Sequence, residues 1–181
     1  MTSLDLTDHA DFYASPEHLE RTFRRFLQGI RADGFAVLCA DHPITARMAS
    51  VPRVPVITYG LGGDGDLVAE VEELRGPASR ALVRHGGRRL GRLTLQVPGR
   101  YNVANALGAV AIGLQVGISF DIIARALAAF RGVRRRFEIR GEAEGVLVVD
   151  DYAHNPVKVA AVLRAARECW PGRRVVALFQ P

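Results

Sequence analysis

The stretch richest in groups capable of chemistry is Val146-Leu-Val-Val-Asp-Asp-Tyr-Ala-His-Asn-Pro156. Its apolar, strand-like start delivers two carboxylates, a phenol and an imidazole into the turn before a helix. In α/β sheets, ligands bind at the carboxyl ends of strands, where side chains and helix amides converge. Asp150 and Asp151 suit a nucleotide ribose or a metal ion. They equally suit the plain end of a strand, with His154 solvating the turn, and the local chemistry does not choose. A second stretch, LGGDGD from Leu61 to Asp66, is glycine-rich but has neither lysine nor hydroxyl directly after it. Lys158, the only lysine among 24 basic residues, lies inside a helical pattern and follows no such loop. Phosphoryl transfer needs a glycine-rich amide cradle with a lysine on the transferring group and a Ser or Thr on magnesium. The 181 residues contain none.

The elements that position these groups follow from spacing. Ser15-Pro16-Glu17 has the cap, first-turn proline and first-turn acid of a helix start, and Leu19, Phe23, Phe26, Leu27 and Ile30 continue it with one buried face. Gly34 to Ala40 is a short apolar run that reads as a buried strand, ending in a turn at Asp41-His42-Pro43. Another strand is expected at Val54 to Tyr59, then alternating patterns at Leu67 to Leu74, Ser79 to Arg84 and Leu90 to Val97, with Gly86-Gly87 marking a hairpin. An alanine-rich helix is predicted from Asn102 to Val116, and Gly117 stops it. A second helix follows from Ser119 to Phe130, with Ser119 as cap and Asp121 in the first turn. Arg131 to Glu138 reads as a basic connector. Beyond it come a buried strand at Gly145 to Val149, a helix from Pro156 to Trp170 capped by Asn155, and a strand at Arg174 to Phe179. Strand, helix, strand in this order opens a parallel α/β sheet, and about 45 residues are too few to close one.

Composition narrows the function classes. An apolar fraction of 49% supports a buried core. No apolar run reaches the roughly 18 residues of a membrane span, and the first residues lack the basic-then-apolar order of a signal peptide, so a cytoplasmic location is expected and a membrane partner is not. Cys39 and Cys169 have no metal or disulfide spacing and read as buried thiols. The net charge of +5 is spread over scattered arginines without interleaved aromatics, which argues against a nucleic-acid partner.

The motifs are joined by a resemblance. VVDDYAHNP is similar to a DDYAHHP signature of the Mur ligase family, in particular of its alanine-adding branch. Pro98 to Ile118, PGRYNVANALGAVAIGLQVGI, resembles that branch's GRHNxxNALAAIA block, and Gly132 to Glu138, GVRRRFE, resembles its GVxRRF connector. DHADFY from Asp8 to Tyr13 resembles DHxDxY, and the closing ALFQP resembles the strand before a histidine-arginine-tyrosine segment. Five motifs stand in the family's order along nearly the whole chain.

The resemblance implies an α/β fold with two parts. Residues 1–135 correspond to the C-terminal part of a central ATPase domain with a mixed sheet and helices. Residues 136–181 correspond to the first strand-helix-strand of a Rossmann-like C-terminal ligase domain. It implies an ATP- and Mg2+-dependent ligase that activates the carboxylate of UDP-N-acetylmuramate as an acyl phosphate, which the amine of L-alanine attacks. Carried over by position, Asn105 faces the adenine with Asn102 nearby, Arg136 contacts nucleotide between domains, Asp151 accepts hydrogen bonds from the ribose, His154 belongs to the same nucleotide site, and His9 is a magnesium ligand. An amide matches a purine edge and a guanidinium grips phosphate or carboxylate in bidentate fashion. By its position Asn102 is equally a helix cap, and Arg134 and Arg135 are equally a solvated linker. No residue is assigned a catalytic role. The sequence departs from the family pattern where Ser3-Leu-Asp-Leu-Thr-Asp precedes His9 in place of TNIExD, where Asn155 replaces a histidine, and in having no phosphate loop. The expectation is therefore a portion of the ligase that does not turn over alone. A portion of the related ligase that recycles murein tripeptide, and a non-catalytic nucleotide-binding module, are the alternatives.

Overall fold

The structure, a computed structural model, describes Met1 and residues 12–180. Helix α1 spans Pro16–Gln28, with the Ser15 hydroxyl accepting from the His18 amide at 3.2 Å. Strand β1 (Ala36–Cys39) is followed by a short helix α2 (Pro43–Arg47), where the sequence suggested only a turn, and by a single 3₁₀ turn. Then come β2 (Val56–Gly60), β3 (Leu67–Arg75), β4 (Ala78–His85) and β5 (Arg88–Leu95). Helices α3 (Arg100–Gln115) and α4 (Phe120–Ala129) complete the first unit. The second holds β6 (Glu138–Ala143), β7 (Val146–Asp150) and α5 (Pro156–Cys169).

The five strands lie in chain order in one mixed sheet: β1, β2 and β3 are parallel, while β3, β4 and β5 are antiparallel. Side chains alternate across a strand, so β1 feeds two cores. Ala36 and Leu38 join Leu19, Leu27, Ile44 and Met48 under α1 and α2, whereas Cys39 joins the larger core under α3. That larger core is built on Tyr59, Leu67, Val83 and Leu93 of the sheet against Val103, Leu107 and Val110 of α3, all at most 1% exposed. The α3 positions recur at helical spacing, and each large aliphatic buried this way contributes about 1.5–3 kcal/mol. Gly108 lets the helix come close: a Cβ there would lie 3.2 Å from the Tyr59 hydroxyl oxygen. The tight β4–β5 turn needs positive φ at both central residues, which Gly86 and Gly87 supply at 53° and 77°.

Several sequence expectations change on folding. Phe26 is 69% exposed, so α1 buries Leu19 and Leu27 and leaves Phe26 outside. Ser119 occupies the cap position of α4, but its side chain makes no capping bond. Helix α3 starts at Arg100, so Asn102 lies in its first turn. The basic connector ends in a strand: β6 begins at Glu138 and pairs antiparallel with β7, from Glu138↔Asp150 to Ala143↔Val146. The β7 strand is half-exposed, not buried, because its hairpin partner covers an edge and neither face. Residues 174–180 form no strand ladder, and among the described residues β7 has no parallel neighbour.

Both cysteines are buried and free. Among the described residues no helix is long and apolar enough to cross a membrane.

Candidate functional site

The two units meet where the linker before β6, the end of β7, α5 and the start of α3 come together. Gly99 at the N-terminal end of α3 has φ 89°, and a Cβ on it would lie 2.7 Å from the Ala165 Cβ of α5. The Gly76 amide, in the β3–β4 turn, donates to the Cys169 carbonyl at 2.8 Å. Phe137 stacks on Trp170, with centroids 5.4 Å apart and planes 6° from parallel. Glycine at positions 76 and 99 thus lets α5 settle against the first unit.

Asp151 stands at this junction. Its Oδ2 accepts from the Phe137 amide and its Oδ1 from the Ala153 amide, both at 2.7 Å. The Tyr152 amide donates to the Arg135 carbonyl at 2.8 Å, and the Arg135 guanidinium lies 4.6 Å from the Tyr152 ring centroid. A cation over an aromatic face is attracted by the ring quadrupole. His154 Nδ1 is 2.8 Å from the Tyr152 carbonyl, and its Nε2 is 3.2 Å from Lys158 Nζ. An ammonium only donates, so this pattern suits a ring protonated at Nδ1. Asn155 caps α5 by accepting from the Lys158 amide at 2.9 Å, and its buried Nδ2 has no partner among the described residues.

From α3, Asn102 Nδ2 donates to the Pro98 carbonyl at 2.8 Å. Tyr101, which the sequence reading passed over, sits between the two units. Burial, and then the nearby Asp151 carboxylate, push its hydroxyl up to about 12, opposed by the Asn102 side chain and by Arg136. Asn102, Arg136 and Asp151 thus all act electrostatically on the Tyr101 hydroxyl, and His154 is three residues beyond Asp151. Asn105 lies one turn further along α3, exposed to solvent. His9 lies outside the described residues. Only folding brings the Tyr101 hydroxyl to the strand end fifty residues later, so a tyrosine at a helix start carried no signal.

A second polar cluster was also missed. Asp41 accepts from the Leu61 and Gly62 amides at 2.6 and 2.8 Å, and Asp66 accepts from the Thr58 amide at 2.8 Å and its hydroxyl at 2.7 Å. The Thr58 hydrogen bonds hold the Asp66 carboxyl below its ordinary range. These bonds shape the glycine-rich loop around protein carboxylates. A Cβ at Gly60 would lie 2.5 Å from Asp41 Oδ1.

Two concavities flank the junction. One of about 270 Å³ is lined by Pro77, Val97, the 131–134 linker and Phe137. The other, about 510 Å³, runs between β7, α5 and the 173–179 segment and is lined largely by apolar side chains.

Residues 2–113 match the Mur ligase middle domain, and residues 135–181 match the "Mur ligase, glutamate ligase domain" family. The chain belongs to the Mur ligase family. It is 46% identical, over all 181 residues, to the UDP-N-acetylmuramate–L-alanine ligase of Oleidesulfovibrio alaskensis, and spans 39% of that relative's length. The UDP-N-acetylmuramate-alanine ligase MurC of Thermotoga maritima superposes with a TM-score of 0.74 at 29% identity, covering 90% of this chain and 36% of that one. MurF of the same organism, solved in complex with ADP, has a TM-score of 0.74 at 22% identity, covering 90% and 37%, and shares the fold.

The residues expected at a nucleotide differ in what they offer its two ends. Asn105 is an exposed amide, and each Asp151 oxygen has spent one of its two acceptor positions. The phosphate end finds no loop of the required type in the sequence. Among the described residues, no group of three or more His, Cys, Asp or Glu side chains is placed to hold a metal ion.

Proposed function

We propose that this chain is the part of an ATP- and Mg2+-dependent ligase, joining L-alanine to UDP-N-acetylmuramate in peptidoglycan synthesis, that receives the nucleoside end of ATP. The observation that carries the reading is the 46% identity extending over every residue to a ligase of that name. The influence of Arg136 and Asp151, at the start of the second matched domain, on Tyr101 of α3 supports it, since a nucleotide between the two domains would contact both. Asn105 and Asn102 serve the adenine, Asp151 the ribose, and Arg136 the bridge between units, with His154 at the edge. Residues 1–135 and 136–181 are the corresponding domain parts. His9 is proposed as a metal ligand, and the cytoplasm as the location.

Amide and carboxylate groups recognise adenine and ribose; phosphoryl transfer depends almost entirely on positioning and charge stabilisation. The isolated 181-residue polypeptide is therefore expected to form no ADP from ATP, UDP-N-acetylmuramate and L-alanine. It should bind ATP weakly and almost independently of magnesium. Calorimetric titration with ATP and with adenosine, each with and without Mg2+, checks this, together with a phosphate-release assay. Substrate-dependent phosphate release above an Asp151→Ala control would refute the expectation of no turnover. Unchanged ATP binding in both Asn105→Ala and Asp151→Ala would refute the site.

A further inference from the structure

The linker between the units carries two non-glycine residues at positive φ, Arg135 at 59° and Phe137 at 47°. Such conformations are unfavourable for L side chains and persist only where surrounding contacts impose them. Three contacts meet here. The Phe137 amide donates to Asp151 Oδ2, the Arg135 carbonyl accepts from the Tyr152 amide, and the Arg135 amide donates to Glu138 Oε2 at 2.9 Å. Two of the three come from the end of β7. Stacking of Phe137 on Trp170 then anchors the same turn to α5.

We propose that Asp151 is a positioning residue for the linker: by accepting the Phe137 and Ala153 amides at once, its carboxylate holds the left-handed turn at 135–137 and thereby sets where Arg136 stands. Hydrogen bonds to an ionised acceptor are the stronger kind, which is what a strained turn requires. Each carboxylate oxygen accepts two bonds, so this role leaves room for a ribose hydroxyl and does not depend on one. It deepens the nucleotide reading without resting on turnover. Ligand binding at Asp151 and the direction of Arg136 become properties of a single carboxylate.

Amide hydrogen exchange of the full chain, followed by NMR without nucleotide, tests the proposal. In the wild-type chain the Phe137 and Ala153 amides should exchange slowly; Phe137 exchanging at the rate of a free peptide would overturn the idea with no variant made. Asp151→Ala should speed both amides by about tenfold or more, the fold-change expected for losing one charge-assisted bond, with Tyr152 following. Asp151→Asn has a single acceptor oxygen and should release one of the two amides and retain the other. General loosening of the second unit would instead speed the β6–β7 ladder amides equally with Phe137, and that outcome would also overturn the proposal. Leaving nucleotide out of the measurement separates its failure from failure of the nucleotide site.

Discussion

The two units of this chain solve the problem of burying apolar surface to different extents. In the first, the sheet is covered by α3 and α4 on one face and by α1 and α2 at β1, and Leu93, Leu107, Val103 and Val83 are all fully buried. In the second, the hairpin β6–β7 and α5 leave Val146, Val148, Val176 and Leu178 at 53% to 98% exposed. The apolar pattern of the two regions is similar, yet among the described residues only the first has a layer opposite it. A strand contributes its burial energy only when another element covers its face, so the second unit draws its order from hydrogen bonds and from docking on the first.

The largest test of this contrast is a pair of truncations. Leu107→Ala should cost about 2–5 kcal/mol in chemical denaturation, as expected for a fully buried leucine, whereas Val148→Ala should cost no more than about 0.5 kcal/mol, the range of exposed positions. Comparable losses at the two sites would show that the second unit has a core of its own.

Next in size is Gly99→Ala, which attacks the docking. The added methyl meets Ala165 at 2.7 Å and the residue needs φ 89°, so a loss of about 1–3 kcal/mol is expected. Trp170 fluorescence should change with it as α5 is displaced from the first unit. A neutral substitution with unaltered emission would mean that α5 is not held there.

The smallest effect concerns the loop of the first unit. Thr58→Val removes the hydroxyl from Asp66 and should cost about 1 kcal/mol at neutral pH. Because the folded carboxyl lies below its unfolded value, its stabilisation is present above the unfolded pKa of about 3.9 and is lost as pH falls through the folded value. The difference between wild type and variant should therefore shrink in acid. A gap that widens on acidification would reverse the assigned sign.

Much of the first unit was legible because its signals are local. The period of Val103, Leu107 and Val110, the Gly86-Gly87 turn and the Ser15 and Asn155 caps each depend on residues a few positions apart. Motif order was enough to suggest the Mur ligase family and to nominate Asn105, Arg136 and Asp151, because motif chemistry is carried by residue type. The strand at Glu138–Ala143 was missed, since alternation of charged and small residues resembles a connector until β7 pairs with it. The expected strand at 174–179 had the right composition but has no ladder partner among the described residues.

Residue type and near-neighbour spacing thus determined which helices and hairpins form and which groups could meet a nucleotide. Tertiary structure alone decided that the Tyr101 hydroxyl feels the Asp151 carboxylate, that Gly99 admits α5, and that the Asp151 carboxylate is already engaged by the linker amide of Phe137. These relations join residues from 14 to 66 positions apart. Their geometry depends on how two separate units dock, and no periodicity along the chain encodes that docking.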